Sequence, residues 1–562
     1  MENQRLFLFI AISLVILLLY SAWQDQFGPK PPAPTPVTSE LPPGQVSPTK
    51  PATDTTGIPS EDIPDAKPAA SGTAPTLSSQ AESTTISKTQ RIRVRTDLLD
   101  VEIDSTGGDI RKAALIAYPQ KIEVPDKPVV LFNDELPRLL IAQSGLLASK
   151  GLSADHHVIF NSQQAEYKLA DGDDKIQVKL SWQGDNGLAV NKIYTFQRDS
   201  YVIDMDVEII NGTAEDWTGR FYRQLQRSEV TSEEQSRFIY TYTGGVVSNE
   251  LNKYEKVDLD DMATWKAEQS YIKGGWVAMI QHYFLGAWIP VQDKYNYFYT
   301  KALDTGRYLI GMSTADSTIA AGQTGKFSSS IYIGPKDQER LASAAPNLQL
   351  TVDYGVLTIL SDPLFWLLKF IHEYVGNWGW AIIFVTLIIK LVFFKLSEAA
   401  YRSMANMRKF QPKIQQLKER YGSDKQRMSQ AMMDLYKKEK INPLGGCLPM
   451  LVQIPVFIAL YWVLLESVEL RQAPFILWID DLSTKDPYYV LPLIMGISMF
   501  VQQKLNPAPM DPMQAKILSF LPIVFTLFFA FFPSGLVLYW VANNILSISQ
   551  QWYITRKIER AA

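Results

Sequence analysis

The chain has 562 residues, a net charge of −4, 20% charged and 46% hydrophobic residues, and is too long for one ordinary soluble domain. The averages hide a segregation, because apolar runs crowd the first 23 residues and the last third. The single cysteine, Cys447, excludes an intrachain disulfide and a cysteine-based metal site, and none of the four histidines (His156, His157, His282, His372) lies in a long apolar run where it could serve a metal within a membrane.

Leu6–Trp23 is an uncharged run of 18 residues preceded by Arg5. A spanning helix needs about 20 apolar residues. A cleaved signal peptide, the competing reading, has a shorter core of about 7–15 residues and a small-residue cleavage site, which Tyr20-Ser21-Ala22-Trp23 fits poorly. Residues 1–23 are therefore expected to be an uncleaved anchor. Residues 24–88 hold 13 of the 33 prolines, among Ser, Thr, Ala and Asp. Such a stretch buries too little apolar surface to offset its ordering entropy, which predicts a disordered tether.

From 89 to 353 the pattern is strand-like. Arg91–Asp104 mostly alternates apolar and polar residues and is followed by Gly107-Gly108; Lys175–Trp182, Tyr201–Ile210, Ala278–Pro290, Tyr295–Lys301 and Lys326–Ile333 read similarly. Many strands with little helix predict an all-β sandwich. His156-His157 beside Asp155 reads as an exposed polar turn rather than a metal site.

The last third is helical and apolar. Residues 354–378, with Leu364–Val375 interrupted by Lys369, His372 and Glu373, are expected to form an amphipathic helix lying in the interface. Four apolar stretches follow: Gly379–Leu396, Gly445–Ser467, Asp486–Leu505 and the 36-residue Ile517–Trp552, which Pro533-Ser534-Gly535 divides into two. The fold class is thus a polytopic α-helical membrane protein: six spans, one an N-terminal anchor and five a bundle over 379–562, with a large β-sandwich between. Basic loops stay in the cytoplasm. Arg402–Lys440 is rich in Lys and Arg, whereas Glu469–Lys485 is not, so both termini are expected inside and the β-domain outside, in the periplasm of a bacterium.

The basic segment, 401–443, reads as a helical hairpin. Met404, Met407, Phe410, Ile414, Leu417 and Tyr421 recur at helical spacing, Gly422 breaks the pattern, and Ser423 or Asp424 can cap a second helix. Two readings stay open. The apolar stripes simply pack together, or the hairpin is a methionine-lined capture surface, whose Arg408, Lys409, Lys413, Lys418, Arg420, Lys425 and Arg427 would meet anionic headgroups or ribosomal RNA.

Lys390 lies inside the second span, about 16 Å along the helix from Gly379. A cation there costs about 2.5–3.5 kcal/mol on insertion scales. Either it snorkels to the cytoplasmic interface, or it faces a wet cavity and attracts acidic cargo. Thr386 shares its helical face. Gln453, Thr526, Asn543 and Asn544 add polar groups to other spans, where interhelical hydrogen bonding is the plainer explanation. Glu398 and Glu466 sit at span ends, where carboxylates are expected to be solvated. No Walker-type loop is present, which argues against work driven by ATP.

Longer stretches carry a family resemblance. NPLGGCLPMLVQIPVFIALYWVL, VELRQAPFILWIDDLSTKDPYYVLPLIMG, DPMQAKILSFLPIVFTLFFAFFPSGLVLYWVANN, QPKIQQLKERYG and GGWVAMIQHYFLGAWIP resemble the YidC/Oxa1/Alb3 membrane protein insertases, and their Gram-negative YidC subfamily in particular. The resemblance implies a non-enzymatic insertase and chaperone of the inner membrane, working without ATP or any cofactor, alone or beside the Sec translocon. Nascent membrane proteins and lipids are the implied partners, the ribosome and signal-recognition machinery are candidates, and DNA is not. It also implies a mutarotase-like supersandwich outside, and a hydrophilic groove open to the cytoplasm and lipid. Lys390 stands where that family usually has an arginine, keeping the charge but losing the bidentate fork. By the same resemblance Thr386, Gln453, Thr526 and Trp540 would line the groove, and Phe457, Met495 and Phe528 would form a greasy slide for cargo. A solute transporter, an envelope enzyme acting on glycans and a pure scaffold are the competing functions; no internal repeat favours the first.

Overall fold

The computed structural model describes residues 90–230, 241–269, 271–303, 305–421, 424–438, 448–505 and 512–560. The expected anchor and tether lie outside them, as do 439–443 at the end of the expected hairpin.

Alternation makes the strands. In Val202–Asn211 the side chains of Ile203, Met205, Val207 and Ile209 are buried in turn, the period of a strand with one face on a core. This strand pairs antiparallel with Leu188–Gln197 and with Thr324–Pro335. Two sheets, of 11 and nine strands among the described residues, form the domain. One buried cluster takes Phe221 and Leu225 from the first sheet and Trp288 and Ile331 from the second. The Trp288 indole N–H donates across the sandwich to Gln224 O at 3.1 Å.

One expectation in this domain is corrected. His156 is buried, with Nδ1 against the Tyr222 hydroxyl, while its neighbour His157 is exposed. The Gly107 turn permits this: at φ +71° a side chain there would lie 2.5 Å from His156 O, so only glycine lets the two backbones approach. Nearby, buried Lys192 donates to Ser144 O at 2.7 Å and to Gly107 O, and burial depresses its ammonium to about 8 against the pull of Asp109.

The helices follow as α1 (Gln338–Ala344), α2 (Thr358–Val375), α3 (Trp378–Val392), α4 (Phe394–Lys409), α5 (Gln411–Tyr421), α6 (Lys425–Lys438), α7 (Leu448–Glu466), α8 (Val490–Leu505), α9 (Pro512–Phe529) and α10 (Ser534–Arg560). On α2, Phe365 and Leu368 are buried, Ser361 donates to Ala459 O of α7, and Trp366, Phe370 and Tyr374 stack as an exposed aromatic ladder. By length and composition alone 355–375 would suffice to cross a membrane. The span expected over Gly379–Leu396 is not straight, since α3 and α4 meet at Phe393 with a bend of 63°. The first hairpin helix also divides, at Phe410. Pro412 has no N–H to donate to the carbonyl one turn back, so the helical ladder lapses at Phe410 and α5 starts afresh at Gln411. Asp424 Oδ1 accepts from the backbone N–H groups of Gln426 and Arg427, capping α6.

The sandwich is joined to the bundle through polar contacts at the end of α7. Glu466, expected to be solvated, is instead buried against Lys336, with Nζ–Oε2 2.7 Å and side chains 6% and 3% exposed. Lys336 follows directly on the last strand, which delivers it beneath α7. Beside the pair, His282 Nε2–H donates to Leu465 O at 3.0 Å. Arg471, in the loop after α7, donates to Pro119 O at 2.7 Å. Burial holds the His282 imidazole down at about 4 against its ordinary 6.5, with Glu466 opposing the shift and Lys336 adding to it.

Two outcomes follow from this junction. Glu466→Leu alone leaves an uncompensated buried ammonium and should cost roughly 3–5 kcal/mol, whereas adding Lys336→Met should recover most of the loss; melting of the detergent-solubilised chain compares them. A depressed histidine takes up its proton first in the unfolded chain, so its contribution to stability is lost as pH falls from 6.5 towards 4. His282→Gln should flatten that part of the pH dependence of melting.

Candidate functional site

The last helix sets up the site. Trp540, Asn543, Asn544 and Ser547 stand at i, i+3, i+4 and i+7 on α10 and so share one face. They line a cavity of about 540 Å³ walled by α3, α4, α7, α8, α9 and α10, with Lys390, Gln453, Phe457 and Tyr401 also on its walls.

Lys390 is 9% exposed. Its Nζ donates to Ser547 Oγ at 2.8 Å and to Gln453 Oε1 at 3.3 Å. Gln453 Nε2 in turn donates to Asn543 Oδ1, and Ser547 Oγ donates to Asn543 O at 2.7 Å. No charged group among the described residues acts on the ammonium. Of the two positions open to Lys390 from the sequence, the geometry therefore gives the interior one. An ammonium has three donors, and two are used here, both on neutral acceptors. On the cavity wall Gln503 Oε1 is buried without a hydrogen-bond partner. Part of the wall is aromatic: the Phe457 and Trp540 rings meet edge-on at 4.5 Å, and Phe525 lies 6.1 Å from Trp540.

One end of the bundle is bound together by the loop between α7 and α8. Asn377, capping α3, donates to Pro474 O and Phe475 O. Ser534 N and Gly535 N, opening α10, donate to Thr484 O and Leu482 O. α3 and α10 therefore start from the same end. Lys390 and Ser547 lie about 18 and 20 Å from it, at 1.5 Å per residue, which is why they meet.

The expected site residues divide. Lys390, Gln453, Phe457 and Trp540 line the cavity; Thr386, Thr526, Met495 and Phe528 do not. The Thr386 hydroxyl is spent on Ile382 O, and that of Thr526 on Pro522 O, each one turn back in its own helix. Met495 is fully buried, and Phe528 is 49% exposed beside Phe529 and Phe532. In the hairpin, Lys413, Arg420 and Arg427 are exposed; the side chains of Arg408, Lys409, Lys418 and Lys425 lie outside the described residues. Sequence reasoning missed Ser547, Tyr401, Gln502 and Gln503. The polar face of α10 was the signal that could have found Ser547.

Residues 91–367 match the family described as "YidC periplasmic domain", and residues 370–561 the family described as "60Kd inner membrane protein". A protein of Nitrosococcus oceani named "Membrane protein insertase YidC" is 51% identical over 564 residues, covering all of both chains. One of the same name from Thioalkalivibrio sulfidiphilus is 51% identical over 573 residues, covering 100% of this chain and 99% of its own. This chain belongs to the YidC membrane protein insertase family. A crystal structure titled as an active YidC insertase aligns over 84% of this chain and 94% of its own, at 17% identity and a TM-score of 0.39. In YidC terms the two-sheet sandwich is the periplasmic domain, and the polar cavity lies in the inner-membrane part.

Gly496 tests the packing behind the cavity. A Cβ there would lie 2.0 Å from Thr526 Oγ1. Gly496→Ala should therefore destabilise by about 1–3 kcal/mol through overpacking of α8 on α9. Adding Thr526→Ala should bring the melting temperature of the detergent-solubilised chain back towards that of the parent.

Proposed function

We propose that this chain inserts newly made membrane proteins into the inner membrane, using the Lys390 cavity as a wet way-station for polar flanks, without nucleotide and without enzymatic chemistry. The observation that carries this reading is the Lys390 ammonium, held inside the bundle, among the described residues, by neutral acceptors alone with one donor left over. Such a cation favours a guest carboxylate.

In this reading α3, α7, α8, α9 and α10 are five spans, residues 6–23 make a sixth, and both termini face the cytoplasm. α2 lies along the outer interface, its Trp366, Phe370 and Tyr374 at headgroup level. The hairpin of α5 and α6 meets the emerging segment, its exposed bases near lipid headgroups or the ribosome. The segment's short polar flank enters the cavity, where Lys390 holds an acidic residue part-way across. The α7–α8 loop closes the periplasmic end, so no open pore results. A membrane potential positive outside assists outward movement of negative charge by about 2.3 kcal/mol per charge per 100 mV. The apolar part of the cargo partitions into lipid at about 0.8 kcal/mol per CH₂, passing Phe457 and the exposed Phe528. The same steps serve the chain alone or beside the Sec translocon.

Lys390→Gln decides the matter. Purified variant and parent in proteoliposomes should differ most for cargo with acidic tails and least for matched cargo with amide tails. Lys390→Arg should retain insertion of both. Equal insertion of acidic-tailed cargo by parent and Lys390→Gln would remove the role given to the ammonium.

A further inference from the structure

Ser547, on α10, accepts from Lys390 of α3 at 2.8 Å. Its own hydrogen goes to Asn543 O at 2.7 Å. A hydroxyl offers one donor and two acceptor sites, and Ser547, 3% exposed, uses its donor on Asn543 and accepts from Lys390. Gln453 bridges in the same way, accepting from Lys390 and donating to Asn543. Lys390 has four methylenes and makes no ion pair among the described residues. Without these two acceptors nothing described here would stop it from leaving the cavity for the nearer headgroups.

We propose that Ser547 is a positioning residue, which holds the Lys390 ammonium at the cavity wall with one N–H left for a carboxylate on incoming cargo. This rests on the insertase reading above and adds what sets the cation in place. Hydrogen-bonded networks of this kind are coupled, so one member's loss is felt by the others.

Thr and Val at position 547 differ only in the hydroxyl, which makes them the test. In proteoliposomes holding a membrane potential, the full chain is given one cargo with a two-aspartate tail and its twin with asparagines. The readout is the ratio of the two insertion rates. Ser547→Thr should keep the parental ratio, while Ser547→Val should lower it about fivefold, the worth of one hydrogen bond. Ser547→Ala should lower it likewise without added bulk. A structural defect slows both cargoes together and leaves the ratio alone. Equal ratios for the Thr, Val and Ala variants would overturn the positioning role. Lys390→Gln runs alongside. If it too leaves the ratio unchanged, the insertase reading of Lys390 has failed; if it alone collapses the ratio, only the role of Ser547 has.

Discussion

A lone ammonium inside a helix bundle is costly to desolvate, and the arrangement around Lys390 answers that cost with neutral oxygen rather than with a countercharge. Ser547 and Gln453 satisfy two of its three donors, and both are themselves tied to Asn543. Neutral acceptors hold the side chain and leave its charge uncompensated among the described residues. Phe457, Trp540 and Phe525 add aromatic surface to the cavity wall, where Gln503 Oε1 is buried without a hydrogen-bond partner among the described residues.

The rest of the molecule keeps this pocket in register. Lys390 and Ser547 meet because α3 and α10 start from the same capped end, and that end is fastened by backbone hydrogen bonds from the α7–α8 loop. The loop in turn reaches the sandwich through Arg471, and α7 reaches it through the buried Lys336–Glu466 pair and His282. The periplasmic domain is thereby connected, by a short series of polar contacts, to the helix that carries Gln453. Breaking the pair would be felt along α7, whose other end holds one of the two acceptors on Lys390.

Much of this was legible in the sequence. Alternation in Val202–Asn211 and similar runs reports strands because one face of each meets a core. The long apolar runs report helices because the bilayer leaves the backbone no other way to satisfy its hydrogen bonds. Lys390 announced itself because a charge in such a run is rare. Thr386 and Thr526 lie off the cavity wall, and each hydroxyl donates to its own i−4 carbonyl, which is always within reach of a threonine in a helix. Glu466 misled because a span end is normally wet, and nothing local signals that Lys336, 130 residues earlier, will cover it. His156 misled likewise, since its burial depends on Tyr222 and on the close approach of the Gly107 turn.

The sequence by itself determined the class of the molecule, the cation within an apolar helix and the family, because hydropathy period, charge segregation and long motifs are properties of neighbours in the chain. Only the tertiary structure decided which polar residues serve that cation, where the bend at Phe393 falls, and how the sandwich grips the bundle. Those depend on the rotation of each helix about its axis and on contacts between residues far apart in sequence, such as Lys390 with Ser547. One-dimensional spacing records the face a residue shares, but not what that face meets.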